Sequence, residues 1–204
     1  MEKPLFLGSK SQARKQLLKD ADIPFVIVEQ KADESKCEWG ESLRGTVEDI
    51  ALYKMEHVVL PDCKKEGDIC FVLTADTLTR HADGSLGGKP SGRTDAIEMI
   101  KKARSEATVG TAFCLDKRVS RSGQWTVYKR IQQYAEAKYE LDIPDEWIDS
   151  YLEKSFSSVS SGAIAIEFYG AQFLKTVHGS HSAIIGLPMF ELREALQKLE
   201  FFSL

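Results

Sequence analysis

Residues 69–73, with the sequence ICFVL, form one of the strongest apolar runs in the chain and constrain its fold more than any other local feature. This short apolar run predicts a buried strand, because a membrane-spanning helix would need roughly 20 apolar residues. Asp76 and Thr77 follow at the carboxyl end of the predicted strand. Functional side chains in α/β proteins commonly occupy that position, so the run also predicts where a site should lie.

Helical and strand patterns alternate along the rest of the chain, separated by turns that contain Gly, Pro and Ser. The predicted helices cover residues 12–20, 46–59, 94–102, 144–151 and 191–199. The other predicted strands cover residues 5–7, 25–28, 108–115, 125–133, 135–141, 163–168, 173–177 and 183–185. A Ser-rich stretch at 155–161 is interpreted as a flexible loop. This order predicts a mixed α/β fold in a single domain over residues 1–204, with a sheet too interrupted for a standard doubly wound fold.

The overall composition narrows the class of protein. Hydrophobic residues make up 43% of the 204 residues, which is enough to form a sizeable hydrophobic core. The net charge of −4 gives no general attraction to nucleic acid or to a membrane surface, so any anionic ligand must be held by a local cluster of cations. The sequence shows no secretory signal, and its four cysteines form no close pair, which favours reduced thiols in a cytoplasmic protein.

The first polar cluster is Ser9-x-Ser11-x-x-Arg14, at the predicted junction of strand 5–7 with helix 12–20. Free N–H groups at a helix start, two hydroxyl groups and a guanidinium can together bind a phosphate. The alternative is that Ser11 only caps the helix and that Arg14 is a solvated surface residue. The motif by itself leaves both interpretations open.

Two further segments carry residues suited to phosphate chemistry. Asp76 could ligate Mg²⁺ or accept a proton from water, although an aspartate after a strand also often caps the next turn. Lys89 lies in Gly87-Gly88-Lys89-Pro90, where glycines allow close backbone approach and lysine supplies a point charge for phosphate. The alternative for Lys89 is an exposed residue in an ordinary turn.

Three other charged residues are ambiguous when each is taken alone. Glu34 lies in a charged loop and Lys54 on a helix whose other face is apolar, and both patterns are typical of solvated side chains. Glu167 lies inside the apolar run 163–168, so its side chain lies either on the solvent-exposed face of a sheet or in a functional site.

Taken together and in order, these segments resemble the Maf family of nucleotide pyrophosphatases. The matching segments are Leu7-Gly-Ser-Lys-Ser-Gln-Ala-Arg14, Asp33-Glu34, Ala51-x-x-Lys54, Ala75-Asp76-Thr77, Gly88-Lys89-Pro90 with Asp95-Ala96, and Gly179-Ser180 through Gly186-Leu187-Pro188. Each segment is weak alone, but the ordered set at these separations is specific. The resemblance extends over residues 5–199, nearly the whole chain.

The resemblance implies an elongated α/β fold of the Maf and inosine-triphosphatase kind, with a mixed sheet, flanking helices and two lobes around a central cleft, often as a homodimer. It implies that a nucleoside triphosphate is split into the monophosphate and pyrophosphate with a divalent metal, Mg²⁺ or Mn²⁺. Asp76 would accept a proton from water, and Glu34 and Asp76 would bind the metal. The residues that would hold the triphosphate are Ser9, Ser11, Arg14, Lys54 and Lys89.

The same resemblance leaves the preferred base open. The family selects a base with three residues, which match Ala13, Thr77 and Glu167 here. Thr77 resembles the branch that prefers dTTP and UTP, whereas Glu167 resembles the branch that prefers 7-methyl-GTP, and Ala13 offers neither stacking nor charge. The chain also departs from the family at 103–107, which read ARSEA in place of Ser-Gly-x-x-His, and it lacks the arginine usual near the start of the Lys54 helix.

Two interpretations of function follow from the sequence. The first is the pyrophosphatase, which is favoured because Glu34, Asp76 and both lysines of the pattern are present. The second is a non-hydrolysing nucleotide-binding or regulatory protein on the same fold, related to septum formation. A Walker-type NTPase and a Rossmann oxidoreductase are not supported, because the chain lacks Gly-x-x-x-x-Gly-Lys-Ser/Thr and has no Gly-x-Gly-x-x-Gly after the first strand.

Overall fold

The computed structural model describes residues 4–40, 42–63, 65–104 and 106–202. The helices are α1 (Gln12–Asp20), α2 (Leu43–Glu56), α3 (Arg93–Ala103), α4 (Ile148–Lys154), α5 (His181–Ile185) and α6 (Met189–Lys198). The strands are β1 (Leu5–Leu7), β2 (Val26–Ile27), β3 (Glu29–Gln30), β4 (Val58–Val59), β5 (Ile69–His81), β6 (Leu86–Gly87), β7 (Ala107–Arg121), β8 (Gln124–Leu141) and β9 (Leu174–Gly179). Short 3₁₀ turns lie at Glu34–Lys36, Asp145–Trp147, Ser157–Val159, Ser161–Ala163 and Phe168–Phe173. Within the described ranges, every helix falls short of the length and apolar character that crossing a bilayer requires.

In the described part of the chain, seven strands form one mixed sheet. Its order is β2-β1-β5-β7-β8-β9, and β6 also pairs with β5. Strand β1 runs parallel to β2 and β5, and the other pairs are antiparallel. The predicted hairpin is confirmed, since β7 and β8 pair from Ala107↔Tyr139 to Arg121↔Gln124. A separate antiparallel pair joins β3 to β4.

Strand β5 organises the core because its side chains alternate between two packed faces. Phe71 and Leu73 belong to an apolar cluster with residues of α1 and α6. Val72 and Leu78 belong to two clusters that contain residues of α2. All four side chains are at most 3% exposed. Helices therefore cover both faces of the sheet, and the predicted α/β class with flanking helices is confirmed.

The strand predicted at 69–73 is longer than its apolar run. Strand β5 continues to His81, so Asp76 and Thr77 lie within the strand and not after its end. Continuous pairing with β7 supplies the backbone hydrogen bonds that prolong the strand through polar residues. This pairing partner is distant in sequence, and the apolar pattern alone does not reveal it.

The helix predicted at 46–59 is displaced toward the amino terminus. Helix α2 begins at Leu43, where the hydroxyl of Ser42 accepts a hydrogen bond from the N–H of Gly45. Such a cap satisfies one of the N–H groups that have no intrahelical partner at a helix start. The last residues of the predicted helix instead form β4, which pairs with β3.

The strand predicted at 163–168 is wrong. The N–H and C=O of Ala165 both hydrogen-bond to the hydroxyl of the buried Tyr151, at 2.8 Å each. These backbone groups are therefore not available to a neighbouring strand. The backbone at Ala163 and Phe168 also has positive φ angles, of 55° and 51°, which a regular strand does not permit.

The strand predicted at 183–185 is also wrong, because these residues belong to α5. The hydroxyl of Ser180 caps this short helix by accepting a hydrogen bond from the N–H of Ala183. Gly186 ends it with φ of 120°, a conformation that favours glycine.

Candidate active site

The candidate site lies at a gap in one edge of the sheet beside β5. Strand β7 pairs with the whole of β5 along one edge, so β1 and β6 share the other edge. Strand β1 covers residues 71–73 and β6 covers residues 79–80, which leaves residues 74–78 open between them. A cavity of about 330 Å³ lies at this opening. Side chains from both faces of β5 therefore reach one cavity.

The cavity gathers residues that are far apart in the sequence. The predicted site residues that line it are Ser9, Ser11, Ala13, Arg14, Glu34, Lys54, Asp76, Thr77 and Lys89. Glu167 does not line it. The sequence analysis assigned no site role to several other lining residues, among them Lys10, residues 159–161 and residues 184–186.

Arg14 extends from α1 into the cavity, where hydrogen bonds hold its guanidinium. Ser11 caps α1 as predicted, because its hydroxyl accepts from the N–H of Arg14 at 3.3 Å. The Arg14 side chain donates from Nε to the C=O of Gly186 at 2.7 Å. Its terminal nitrogens donate to the hydroxyls of Ser9 at 3.3 Å and Thr77 at 3.0 Å. Arg14 is 8% exposed, so the alternative of a solvated surface arginine is wrong.

Thr111 supports this arrangement and was missed by the sequence analysis. Its hydroxyl lies 2.8 Å from that of Thr77 and donates to the C=O of Ala183 at 2.7 Å. Arg14, Thr77 and Thr111 thus connect α1, β5 and β7 to α5. A threonine inside an apolar strand is the available signal in the sequence, but threonine is also a common strand residue.

Asp76, Lys54 and Glu34 form an ion-paired triad on the α2 face of β5. The Nζ of Lys54 lies 2.6 Å from Oδ1 of Asp76 and 3.0 Å from Oε2 of Glu34. Lys54 is 8% exposed and Asp76 is 7% exposed, whereas the Glu34 side chain is 55% exposed. The alternatives of a solvated Lys54 and a turn-capping Asp76 are therefore wrong. Glu34 remains partly solvated at the mouth of the cavity.

The periodicities of α2 and β5 explain how Lys54 meets Asp76. Ala51 and Lys54 lie three residues apart in α2, so both face the sheet. Thr74 and Asp76 lie two residues apart in β5, so both face the helix. The hydroxyl of Thr74 donates to the C=O of Ala51 at 2.7 Å and fixes the two elements against each other.

Burial shifts both Asp76 and Arg14 toward their neutral forms. It raises the pKa of the Asp76 carboxyl, while the charge and hydrogen bond of Lys54 and the charge of Arg14 oppose this effect. It lowers the pKa of the Arg14 guanidinium, while the charges of Asp76 and Glu34 oppose that effect. Desolvation penalises the charged form in each case. A carboxyl with a raised pKa is better matched to proton transfer near neutral pH.

Lys89 follows β6 and is held beside the cavity by two hydrogen bonds to its preceding residues. The hydroxyl of Ser161 donates to the C=O of Gly87 at 2.9 Å. The N–H of Gly162 donates to the C=O of Gly88 at 2.8 Å. We refer to these two hydrogen bonds as the Ser161 clasp. They attach the segment that carries Lys89 to a segment more than 70 residues later, because the Ser161 bond spans 74 positions.

The Ser-rich stretch at 155–161 is therefore more ordered than the predicted flexible loop. It contains the 3₁₀ turn Ser157–Val159, and Ser157 is fully buried. Val159, Ser160 and Ser161 line the cavity. The polar composition indicated a loop correctly, but it did not reveal the partner to which this segment is bonded.

The three residues expected to select the base do not lie together. Ala13 and Thr77 line the cavity. Glu167 lies outside the lining, immediately before the 3₁₀ turn Phe168–Phe173. Burial raises the pKa of its carboxyl, while nearby backbone N–H groups and the charge of His181 oppose this shift.

The donor set of the cavity suits a hard divalent cation. Within the described ranges, no group of three or more His, Cys, Asp or Glu side chains could hold a metal ion without other ligands. Mg²⁺, however, usually takes one or two carboxylates and completes its shell with water and substrate phosphate. The second oxygens of Asp76 and Glu34 form no hydrogen bond or ion pair with a described residue, so two such carboxylate oxygens are available.

Comparison with known proteins gives matches along the whole chain. The family model of the Maf-like proteins matches residues 4–199. A dTTP/UTP pyrophosphatase of Hydrogenovibrio crunogenus is 30% identical over 204 residues, which is 100% of both chains. A nucleoside triphosphate pyrophosphatase of Chlamydia pneumoniae is 30% identical over 98% of this chain and 95% of its own. A dTTP/UTP pyrophosphatase of Fusobacterium nucleatum is 28% identical over 97% of this chain and 96% of its own.

Proposed function

The chain belongs to the Maf-like family, and on this premise we propose that it hydrolyses nucleoside triphosphates to the monophosphate and pyrophosphate. The observation that carries the proposal is the triad of Asp76, Lys54 and Glu34 beside Arg14 in one cavity. Hydrolysis of a phosphoanhydride needs a group that takes a proton from water and cations that offset phosphate charge, and this cavity offers both. The pyrophosphatase names of relatives that match nearly the whole chain support the same reaction.

In the proposed reaction, Asp76 accepts the proton of the water that attacks between the α- and β-phosphates. Its burial raises its pKa and so strengthens it as a proton acceptor. The hydrogen bond from Lys54 engages Oδ1 and leaves Oδ2, whose two lone pairs can serve both the metal ion and the water. Lys54 in this arrangement favours the ionised form of the buried carboxylate and fixes its orientation.

The phosphates would be bound mainly by cations that are already in place. Arg14 has five N–H donors, of which three are used by protein acceptors, so two remain for phosphate oxygens. Ser9 and Ser11 add hydroxyl groups at the start of α1, where the helix dipole favours an anion. Lys89 reaches the cavity from the other side of the gap.

Asp76 and Glu34 would hold a divalent metal ion, Mg²⁺ or Mn²⁺, with their free carboxylate oxygens. When bound, such an ion draws negative charge from the phosphates. Both carboxylates are also paired with Lys54, so the lysine limits the charge repulsion between them.

For the base, we propose a preference for dTTP and UTP. Thr77 matches the residue of the branch with this preference, and it lines the cavity. Glu167 matches the branch that prefers 7-methyl-GTP, but it does not line the cavity. The names of the relatives from Hydrogenovibrio crunogenus and Fusobacterium nucleatum support the same choice.

The setting of the reaction is proposed from the sequence. The net charge of −4 favours a protein without nucleic-acid or membrane partners. The four cysteines form no close pair in the sequence, which favours a cytoplasmic protein. A homodimer is expected from the family resemblance, and its test is the molar mass in solution. A link with septum formation likewise stays a prediction.

The test is a product analysis with dTTP, UTP, CTP, GTP and 7-methyl-GTP in the presence of Mg²⁺ or Mn²⁺. The proposal expects equimolar monophosphate and pyrophosphate, fastest with dTTP or UTP. Release of orthophosphate and diphosphate would indicate a different NTPase. Binding without product would support the non-hydrolysing protein, and preference for 7-methyl-GTP would assign base choice to Glu167.

A further inference from the structure

Lys10 lines the cavity but takes no part in the proposed reaction. It lies between Ser9 and Ser11, in the turn that connects β1 to α1, and its side chain is exposed. No ion pair or hydrogen bond joins that side chain to another residue in the described part of the chain. Its ammonium group therefore lies beside the cavity without a protein partner among the described residues, where an anionic ligand could engage it.

The other cations of the cavity are already engaged, apart from one. Arg14 donates to three protein oxygens, and Lys54 bonds to the carboxylates of Asp76 and Glu34. These two cations and two carboxylates balance each other in charge. Lys89, like Lys10, is exposed and forms no ion pair with a described residue.

Lys10 and Lys89 flank the gap in the sheet edge from its two ends. Lys10 follows β1, whose pairing with β5 stops at Leu73. Lys89 follows β6, whose pairing with β5 begins at Thr79. A polyphosphate that lay along the open part of β5 would therefore have one free lysine near each end.

The charges of such a ligand match this arrangement. A nucleoside triphosphate carries roughly four negative charges at neutral pH. One divalent ion offsets two of them. The set of Arg14, Lys54, Asp76 and Glu34 has no net charge, although Arg14 still has N–H donors for phosphate oxygens. Lys10 and Lys89 together supply the two remaining positive charges.

We propose that Lys10 is a further substrate-binding residue, and this inference rests on the proposed function. Lys10 and Lys89 together bind the polyphosphate chain of the substrate from the two ends of the gap. The chemical class of ligand that it recognises is a polyphosphate anion, and it does not read the sugar or the base. Lys10 lies on an exposed turn, so its replacement leaves the packing of β1 and α1 unchanged.

The test measures binding of inorganic tripolyphosphate with Mg²⁺ to the substrate-free protein by calorimetry, which needs no turnover. Lys10→Gln should weaken this binding about five- to tenfold, and high salt should narrow the difference. Lys10→Arg should restore most of the affinity. Lys19→Gln is the matched control, because it removes the same charge from the exposed far end of α1, outside the cavity, and should bind like the unchanged protein.

Equal affinity of the Lys10→Gln and Lys19→Gln variants for tripolyphosphate would overturn the proposal, whether both bind like the unchanged protein or both bind more weakly. Binding of thymidine or uridine should be the same in all variants, since these probes lack phosphate. A change in nucleoside binding would assign Lys10 to the sugar or base and would also contradict the proposal. If the protein binds tripolyphosphate through Lys10 but releases no pyrophosphate from any triphosphate, the proposed reaction fails while this inference stands.

Discussion

Asp76 would carry the proton transfer, and its surroundings decide when it is charged. Burial raises the pKa of its carboxyl, and Lys54 and Arg14 lower it. A protonated Asp76 cannot accept a proton, so activity should be present above the raised pKa and lost below it. The linked effect on stability has the opposite sign, because the contribution of this group to folding is present at low pH and is lost as the pH rises through the raised pKa.

We predict that Asp76 titrates above the ordinary aspartate pKa of about 3.9 and that kcat/KM falls as the pH drops through this raised pKa. Carboxyl ¹³C NMR of the substrate-free protein measures the titration, and a pH profile of kcat/KM, which reports groups of the free enzyme, measures the fall in activity. Lys54→Met removes the charge that most opposes burial, so the Asp76 titration should move to higher pH in this variant. A titration at or below the ordinary value, or a downward movement in Lys54→Met, would contradict the assignment.

Single residues in the sequence gave weak guidance to these roles. A lysine on an amphipathic helix predicts exposure, yet Lys54 is 8% exposed because Asp76 faces it from β5. An arginine in the first turn of a helix predicts a surface position, yet Arg14 is buried against Gly186. Both partners are remote in the sequence, so local pattern cannot reveal them. The ordered family motifs pointed to both residues, and the structure shows that both line one cavity.

At the scale of elements, the Ser161 clasp shows how a segment without regular structure can position a site residue. Gly162 has φ of 64°, and a Cβ there would lie 2.6 Å from the hydroxyl oxygen of Thr79. Only glycine combines this backbone conformation with such close approach to β5. The clasp therefore depends on Gly162, and the placement of Lys89 depends on the clasp.

We predict that Gly162→Ala lowers the free energy of unfolding by about 2–4 kcal/mol, since backbone strain and overpacking add together. It should also raise KM for the triphosphate, because the segment before Lys89 must shift. Gly84→Ala is the matched control: it also has positive φ, of 82°, but no atom lies within 4 Å of its added Cβ. Its expected loss is about 1 kcal/mol, with KM unchanged. Equal losses in urea unfolding of the two variants would show that Thr79 does not confine Gly162.

The elements themselves were predictable where their determinants are local. Helix α1 has the predicted bounds because Ser11 caps it and its apolar residues have helical spacing. The strand at 163–168 failed because a side-chain hydroxyl, that of Tyr151, takes both backbone groups of Ala165. Strand β5 was underestimated because its polar half is held by pairing with β7, and pairing is not visible in one segment.

At the scale of the whole molecule, the site exists because two short strands share one edge of β5 and leave a gap. Strands β1 and β6 lie at the two ends of this gap, and each is followed by a segment that carries a cation. The sequence predicted the α/β class, and its motifs, spread over nearly the whole chain, contain nine predicted site residues that line the cavity, whereas Glu167 does not line it. The sequence could not predict the gap, which depends on strand register, or Thr111, whose role depends on its contact with Thr77.

The most direct test of the account is pyrophosphate release from dTTP by the Asp76→Asn variant. Asn keeps the size of the side chain, and Glu34 still pairs with Lys54, so the melting temperature should stay within about 5 °C of that of the unchanged protein. Asp142→Asn is the control, since Asp142 is exposed and does not line the cavity. We predict at least about a hundredfold loss of kcat in Asp76→Asn and none in Asp142→Asn. A folded Asp76→Asn variant that releases pyrophosphate at the unchanged rate would show that Asp76 is not the proton acceptor and would contradict the account.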